Sequence, residues 1–543
     1  MAVQRIVQIA SLCLFLVLLF LAAFPLVSPI AVDLFLRLDP LVFLATWLCA
    51  RSIIPDLMVA ALLLVFTLIL GRFFCAWLCP MGITIDVADR LIGKKVNPEK
   101  QFSRALSNFK YLFLAFILGA AAGGISLVFL GSPLSLITRF YGLLVFPVLS
   151  LLASLGLNVT RPLAEAFDVP ALAYAEINIP RYALQWFTVL LFTAIFACAV
   201  LSPRFWCRYL CPAGALFAVF SRRPFLRRQV NRACTRCGAC QPACPMGAIP
   251  ENPFQTEHSE CIVCQKCVHV CPAGAISFTF SSAGTVSESV FSGQRRALIW
   301  SGLAGVGAAI VSLTSLKTIP LAQSSGYLID PVVIRPPGAL PEMEFLARCI
   351  RCGECMKACP TNTLQPLGLK AGLAGFFSPV ITPRRGPCEP LCNVCTQVCP
   401  TDAIRSLTPD EKIWAKVGTA YIIKHKCLAW EYDQECLICD EVCPTNAIEL
   451  KRIDNINVAV PFVEERKCSG CGFCEFQCPV QAGSAIVVEP MHAVRLASGS
   501  YRKKGREMGL LLEIQAREKQ ETPSAPALGP GQKFNALPPG FTE

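Results

Sequence analysis

Histidine is nearly absent from this chain: four in 543 residues, His258, His269, His425 and His492, none of them in an apolar stretch. A membrane b haem needs a pair of axial histidines inside the bilayer, and a c-type haem needs a C-x2-C-H run; neither is present, so no haem is expected. Charge is scarce too, at 16% of residues. With 54% hydrophobic residues and a mean hydropathy of +0.53, the chain is too apolar for a soluble protein of this length and points to membrane spans. Its net charge of +12 could suit nucleic acid, but no matching motif occurs and the basic residues lie beside apolar segments, where membrane topology accounts for them. Met- and His-rich tracts that hand on metal ions are missing as well.

Cysteine is abundant instead, with 31 residues. Most fall in six quartets, each ending in Cys-Pro, of the kind C-x2-C-x2-C-x3-C-P. In that run three close thiolates hold one [4Fe-4S] cluster and the distant cysteine ligates its neighbour. The rule predicts six sets: set A, Cys234, Cys237, Cys240 with Cys271; set B, Cys261, Cys264, Cys267 with Cys244; set C, Cys349, Cys352, Cys355 with Cys399; set D, Cys388, Cys392, Cys395 with Cys359; set E, Cys427, Cys436, Cys439 with Cys478; and set F, Cys468, Cys471, Cys474 with Cys443. Sets D and E depart from the run with C-x3-C and C-x8-C openings, which fit insertions over a cluster. Disulfides would need an oxidising compartment and would not explain the repeated proline. Zinc sites usually pair two C-x2-C hooks. His425 beside set E reads as a neighbour or surface residue rather than a ligand. Cys13, Cys49 and Cys198 lie in apolar stretches and read as small packing residues.

The amino-terminal part reads as an α-helical membrane bundle, residues 1–232, with spans at 6–32, ending near Gly71, at 111–130 and at 182–201, each near the roughly 20 residues a crossing needs. Segments 82–110 and 203–232 are strongly basic and should share the cytoplasmic face, which requires an even number of crossings between them. The apolar stretch 141–159, interrupted by Pro147, is therefore expected to be a re-entrant or interfacial helix. Asp86 and Asp89 read as a solvated loop face.

An internal repeat marks the inner ends of two spans: Arg72-Phe-Phe-Cys75-Ala-Trp-Leu-Cys79-Pro80-Met-Gly82 and Arg204-Phe-Trp-Cys207-Arg-Tyr-Leu-Cys211-Pro212-Ala-Gly214. Residues i and i+4 share a helix face, so pseudo-symmetric packing could gather Cys75, Cys79, Cys207 and Cys211 as a redox or metal site at the membrane surface, holding a further metal or cluster or exchanging electrons with quinol. Arg72 and Arg204 read as interfacial anchors.

Residues 233–280 form a two-cluster ferredoxin domain of the bacterial α+β type, expected in the cytoplasm. Residues 281–320 comprise a Ser/Gly-rich linker, a twin arginine (Arg295-Arg296) and a charge-free fifth span, a pattern similar to a Tat signal. Either as a Tat signal or as a positive-inside flank, it puts residues 340–500, a four-cluster polyferredoxin domain, on the outer side; a helix lying on the surface would instead keep every cluster inside. Residues 501–543 form a tail, with 500–519 charged and helix-compatible and the end from 521 disordered in composition.

Residues 1–280, with paired C-x3-C-P motifs and a terminal two-cluster ferredoxin, resemble the NapH/NosR/CcoG group of membrane iron-sulfur proteins. Residues 295–500, with the twin arginine, Arg348-Cys349-Ile-Arg-Cys352-Gly-Glu-Cys355 and Gly386-Pro-Cys388, resemble NapG/MauM-type ferredoxins. The resemblance implies a fusion in the bacterial inner membrane that oxidises quinol and feeds a redox partner such as a cytochrome or an exported reductase. Two other functions stay open: reduction or assembly of another enzyme's metal centre, and a wire loaded by a cytoplasmic donor.

Overall fold

The structure, a computed structural model, describes residues 2–26, 28–92, 104–280, 295–317, 333–454, 456–480 and 483–512. The linker at 281–294 and the tail from 521 lie outside them. Apolar helices build the amino-terminal region: α1 (Ala2–Leu21), α2 (Pro40–Ala50), α3 (Met58–Leu70), α4 (Pro80–Ile92), α5 (Arg104–Ala122), α6 (Pro133–Ala166), α7 (Gln185–Ala197) and α8 (Pro212–Phe220). The twin arginine opens α9 (Arg295–Lys317). By length and composition α1, α6 and α9 could cross a membrane, whereas α2, α3, α5 and α7 are shorter apolar helices.

The local sequence sets these ends. Asp39 caps α2 by accepting from Leu41 N with Pro40 at the first position, and Arg51 closes it in the left-handed region. The first apolar run, read above as 6–32, ends as helix at Leu21; the second breaks into α2 and α3. The largest difference is at 141–159. The apolar stretch expected as a re-entrant or interfacial helix lies inside the continuous 34-residue helix Pro133–Ala166, which by length and composition could cross a membrane. Residues Phe140–Val145 wind as a π-turn that runs directly into the α segment Phe146–Ala166, and Pro147 stands at this junction, where the wider turn accommodates a residue without an N–H.

Helix α1 relates the two ends of the molecule. Near its start Gln8 Nε2 donates to Ala76 O at 2.8 Å, beside the first C-x3-C-P motif. At its close Lys357 Nζ, from set C's segment, donates to Leu19 O, Phe20 O and Ala22 O at 2.5, 3.1 and 3.0 Å, a cation on a helix C-terminus. At about 1.5 Å per residue those two levels lie roughly 16 Å apart along the axis.

Helix α9 packs parallel to α5 with backbones nearly touching. Ser301 Oγ donates to Leu112 O at 2.7 Å, and further along Gly123 faces Ala309. A Cβ at Gly305 would meet Phe116 O at 2.1 Å, so only glycine allows the approach. Gly305→Leu is expected to destabilise this pair by about 1–3 kcal/mol, seen as a lower thermal midpoint in detergent; an unchanged midpoint would mean that α9 does not depend on this contact.

The first ferredoxin unit is closed by β1 (Leu226–Val230) antiparallel to β2 (Ile276–Phe280), flanking sets A and B. In the carboxyl-terminal unit β3 (Leu364–Pro366) pairs β4 (Pro379–Ile381), β5 (Thr419–Ile422) pairs β8 (Ile486–Glu489), and β6 (Ile448–Lys451) pairs β7 (Val460–Val463). The β5–β8 pair encloses β6–β7, so sets E and F lie between strands as A and B do. Within the charged segment 500–519, Ser500 caps the short helix Tyr501–Glu507.

Candidate iron-sulfur sites

Each cysteine loop is shaped by left-handed residues at fixed places. Arg236, Val263, Arg351 and Gly470 precede the second cysteine of sets A, B, C and F, and Gly238, Gln265, Gly353 and Gly472 follow it, all with positive φ. Alternating right- and left-handed residues turn successive N–H groups toward one side, a concavity that suits anions and Fe–S groups. A second signal follows the fourth cysteine: Gly247, Gly274, Asn362, Asp402 and Asn446, three residues on, also have positive φ. That turn brings a backbone N–H back to the sulfur. Cys244 Sγ accepts from Ala248 N at 3.3 Å, Cys271 from Ala275 N at 3.4 Å, Cys443 from Ala447 N at 3.2 Å and Cys399 from Ile404 N at 3.5 Å. The Cys-Pro-x-Gly/Asn/Asp pattern was legible and was overlooked.

The cysteines meet across segments. Cys244, Cys261, Cys264 and Cys267 line one cavity of about 340 Å³. Cys359, Cys388, Cys392 and Cys395 line another of about 340 Å³. Cys427, Cys436, Cys439 and Cys478 surround about 410 Å³, and Cys443, Cys468, Cys471 and Cys474 about 310 Å³. In set C, burial pushes the Cys355 thiol well up, and the charges it next feels are Cys352, Cys349, Cys399 and Cys395. Among the described residues no three His, Cys, Asp or Glu side chains converge tightly enough for a single metal ion; the sulfurs stand around cavities instead. Four soft thiolate donors about a space larger than one ion, with N–H groups aimed at them, fit an iron-sulfur cluster.

Sets E and C differ in exposure. All four cysteines of set E are partly exposed, whereas Cys349, Cys352 and Cys355 are buried against the helical region. The C-x8-C insertion of set E is held firmly: Trp430 Nε1 donates to Pro461 O at 3.2 Å, and Asp433 accepts from Asn457 N and Val458 N. His425 is exposed.

The two C-x3-C-P motifs come together, though not as an i, i+4 pair on one helix. Cys75 lies in the short helix Phe73–Trp77 and Cys207 in the π-turn Trp206–Leu210, whereas Cys79 and Cys211 stand just before α4 and α8, and Cys211 Sγ accepts from Gly214 N at 3.2 Å. Burial pushes the Cys207 thiol up to about 12, and the charges it then feels are Arg204, Cys75, Asp86 and Arg72. Cys75 and Cys207 pack with Cys244 and Cys264 around Ala76, Met246 and Ile262, so this site adjoins set B.

Arg72 and Arg204 are not interfacial anchors; each is 1% exposed. Each motif's arginine lies over the other motif's glycine, Arg72 against Gly214 and Arg204 against Gly82, an approximate two-fold exchange. Arg204 Nε and Nη2 grip Asp86 at 2.7 and 2.6 Å, Nη1 reaches Cys75 O at 3.1 Å, and Arg204 N donates to Asp89 Oδ2 at 2.8 Å. Asp86 and Asp89 are thus part of a buried helix contact rather than a solvated loop. Burial opposes the Asp86 charge, yet Arg204 holds its carboxyl below the ordinary range; Asp89, without such a grip, is raised by burial.

Arg72 Nη1 reaches Glu260 Oε2 at 2.9 Å, where Lys110 Nζ also donates at 2.5 Å and Tyr111 Oη reaches Oε1 at 3.1 Å. Glu260 precedes Cys261 of set B, so this network bolts the ferredoxin unit to α5. Nothing in the cysteine spacing announced it. Replacing one member of a buried pair costs about 3–5 kcal/mol. Glu260→Gln is accordingly expected to release the first ferredoxin unit, measured as faster proteolysis at the strand β1; proteolysis at the wild-type rate would contradict it. The unassigned cysteines divide: Cys49 is buried, Cys198 half-buried, and Cys13 faces outward from α1 rather than into the core.

A family model described as a 4Fe-4S binding domain matches residues 57–99 and 184–232, and models of a 4Fe-4S dicluster domain match 233–276 and 348–403. The chain is 38% identical over 168 residues to a methylamine utilization ferredoxin-type protein MauM of Paracoccus denitrificans, covering 30% of this chain and 73% of that protein. It is 35% identical over 209 residues to MauM of Methylorubrum extorquens, 37% and 90% of the two chains. It is 32% identical over 213 residues to the ferredoxin-type protein NapG of Escherichia coli, 38% and 86%.

Proposed function

Because the chain belongs to the NapG/MauM ferredoxin-type proteins, iron-sulfur electron carriers, we propose that it is a membrane electron wire that oxidises quinol and delivers electrons through six [4Fe-4S] clusters to an exported redox partner. The observation that carries this reading is the placement of cysteine sets at both ends of α1: set B beside Cys75 and Cys207, set C against Leu19, Phe20 and Ala22. Bound clusters supply one-electron storage with potentials set by charge, hydrogen bonding and exposure. The chain's own residues fix the order of the sites.

Set C neighbours set D, where the helix Glu354–Ala358 packs against the turn Val394–Gln397. Set D touches set F through Cys388 N, which donates to Cys471 O at 2.7 Å. Set F neighbours set E, where the helix Phe473–Gln477 packs against the turn Ile438–Glu441. The order is therefore C, D, F, E, with the partly exposed set E as the exit toward a partner. Large apolar side chains turned outward on the long helices, Ile6 and Ile9 on α1, Leu152 and Val159 on α6, Trp300 and Val311 on α9, support immersion in lipid. Cys75, Cys79, Cys207 and Cys211 are the candidate quinol-linked redox site, with Arg72 and Arg204 as its buried cations.

Titrating the purified protein with a quinol analogue tests this. Bleaching of the cluster absorbance supports it; clusters that stay oxidised with excess quinol sink it. One observation favours a second reading, a wire loaded by a soluble donor: Cys237 of set A is exposed. In that case a reduced soluble ferredoxin bleaches the clusters and quinol does not.

A further inference from the structure

Among the described residues five arginines are at most 2% exposed: Arg72, Arg139, Arg204, Arg335 and Arg351. Three of them hold carboxylates, Arg72 with Glu260, Arg204 with Asp86 and Arg335 with Glu342. Among the described residues the other two have no acidic partner, and both stand beside the same cysteines. Arg351 lies within set C's loop, between Cys349 and Cys352; Arg139 comes from α6, on the opposite side of the contact between the helical region and the carboxyl-terminal unit.

A guanidinium taken out of water without an anion is strongly unfavourable. Arg351 donates only Nη2, to Ala374 O at 2.5 Å, and stacks on the Phe129 ring at 4.2 Å; its Nε and Nη1 are buried with no partner. Arg139 Nη2 donates to Phe129 O and the group lies 5.2 Å from the Phe377 ring centre, while its Nε has no partner. The groups of opposite potential charge that each faces are cysteines: Cys349 and Cys49 for Arg351, Cys352 for Arg139. The two units meet here: the Cβ position of Gly353, in the loop of set C, lies 3.2 Å from Leu143 Cδ1 and 3.5 Å from Arg139 Cγ, both on α6.

We propose that Arg139 and Arg351 are a guanidinium pair that raises the reduction potential of the cluster at set C and so makes it the electron-collecting site of the carboxyl-terminal unit. The inference rests on set C being a [4Fe-4S] site and deepens the wire reading. Cys349, Cys352, Cys355 and Cys399 would hold the group, which on one-electron reduction from the helical end would carry one added negative charge, with no bond made or broken. Two fixed cations in a dry site favour the reduced form, because charge and exposure are the levers on such potentials. Both are positioning residues that act through the cluster.

The test is a redox titration of the full chain followed by electron paramagnetic resonance, with R351M, R139M and the charge-keeping R351K and R139K. In each Met variant one titration wave is expected to fall by at least about tenfold in its reduction equilibrium, which is 59 mV per tenfold for one electron. The other waves should stay in place, and the Lys variants should retain most of the wild-type potential. Unmoved waves in Met variants that carry full iron overturn the proposal. If a Met variant fails to load iron, Arg351→Gln and Arg139→Gln replace it; iron loss in every neutral variant would show a purely structural role and equally overturn it. The wire reading is judged separately by the quinol titration, which an unmoved midpoint leaves untouched.

Discussion

Cys443→Ser and Cys478→Ser are expected to fail in different places, although each removes the last cysteine of one quartet. Cys443 lines the cavity with Cys468, Cys471 and Cys474, and Cys478 the one with Cys427, Cys436 and Cys439. Loss of the first should empty set F, which stands between D and E. Set E should then remain loaded yet unreduced when electrons enter from the helical end. Loss of the second should remove only the terminal site, leaving every remaining cluster reducible. Both variants should lose delivery to an external acceptor completely and about four iron atoms per chain. Freeze-quenched spectra during turnover read the difference. If the two phenotypes are exchanged, ligation runs within each quartet and the order of the wire must be redrawn.

The second large effect concerns sidedness. A reporter that is active only outside the cytoplasm, fused after Glu543, is expected to be fully active, and the same reporter fused after 280 to be silent. This follows from α5 and α9 running in the same direction, since both begin at the end where Glu260 and Lys110 meet and both lead toward the end where Lys357 caps α1. A reporter silent at both fusion points would mean that the sets share one compartment and no current passes outward.

The grouping of the cysteines could be read in the sequence because the motif is written in short spacings: for sets B, D, E and F the four expected cysteines line one cavity each. The parts that were hidden depend on long-range contacts. Glu260 meets Arg72 and Lys110 across more than a hundred residues, and no local pattern marks a buried ion pair. The same holds for Asp86 with Arg204, whose helix looked like a basic loop. The 141–159 stretch was set apart from the spans by the charge of the segments flanking the bundle, with Pro147 as an interruption; its union with Pro133–Arg139 through a π-turn into one long helix had no local mark. The thiols of the repeat were expected on one helix face; Cys79 and Cys211 instead stand where a new helix starts, since the proline after each cysteine opens that helix.

The backbone contact of Gly305 with Phe116 bears on how the molecule is made. A helix that begins like an export leader is here wedged against α5 so closely that trimming it would leave a glycine-lined furrow without its occupant. Removing that segment is therefore expected to uncover the α5 backbone along Gly119 and Gly123, which its small residues now shield.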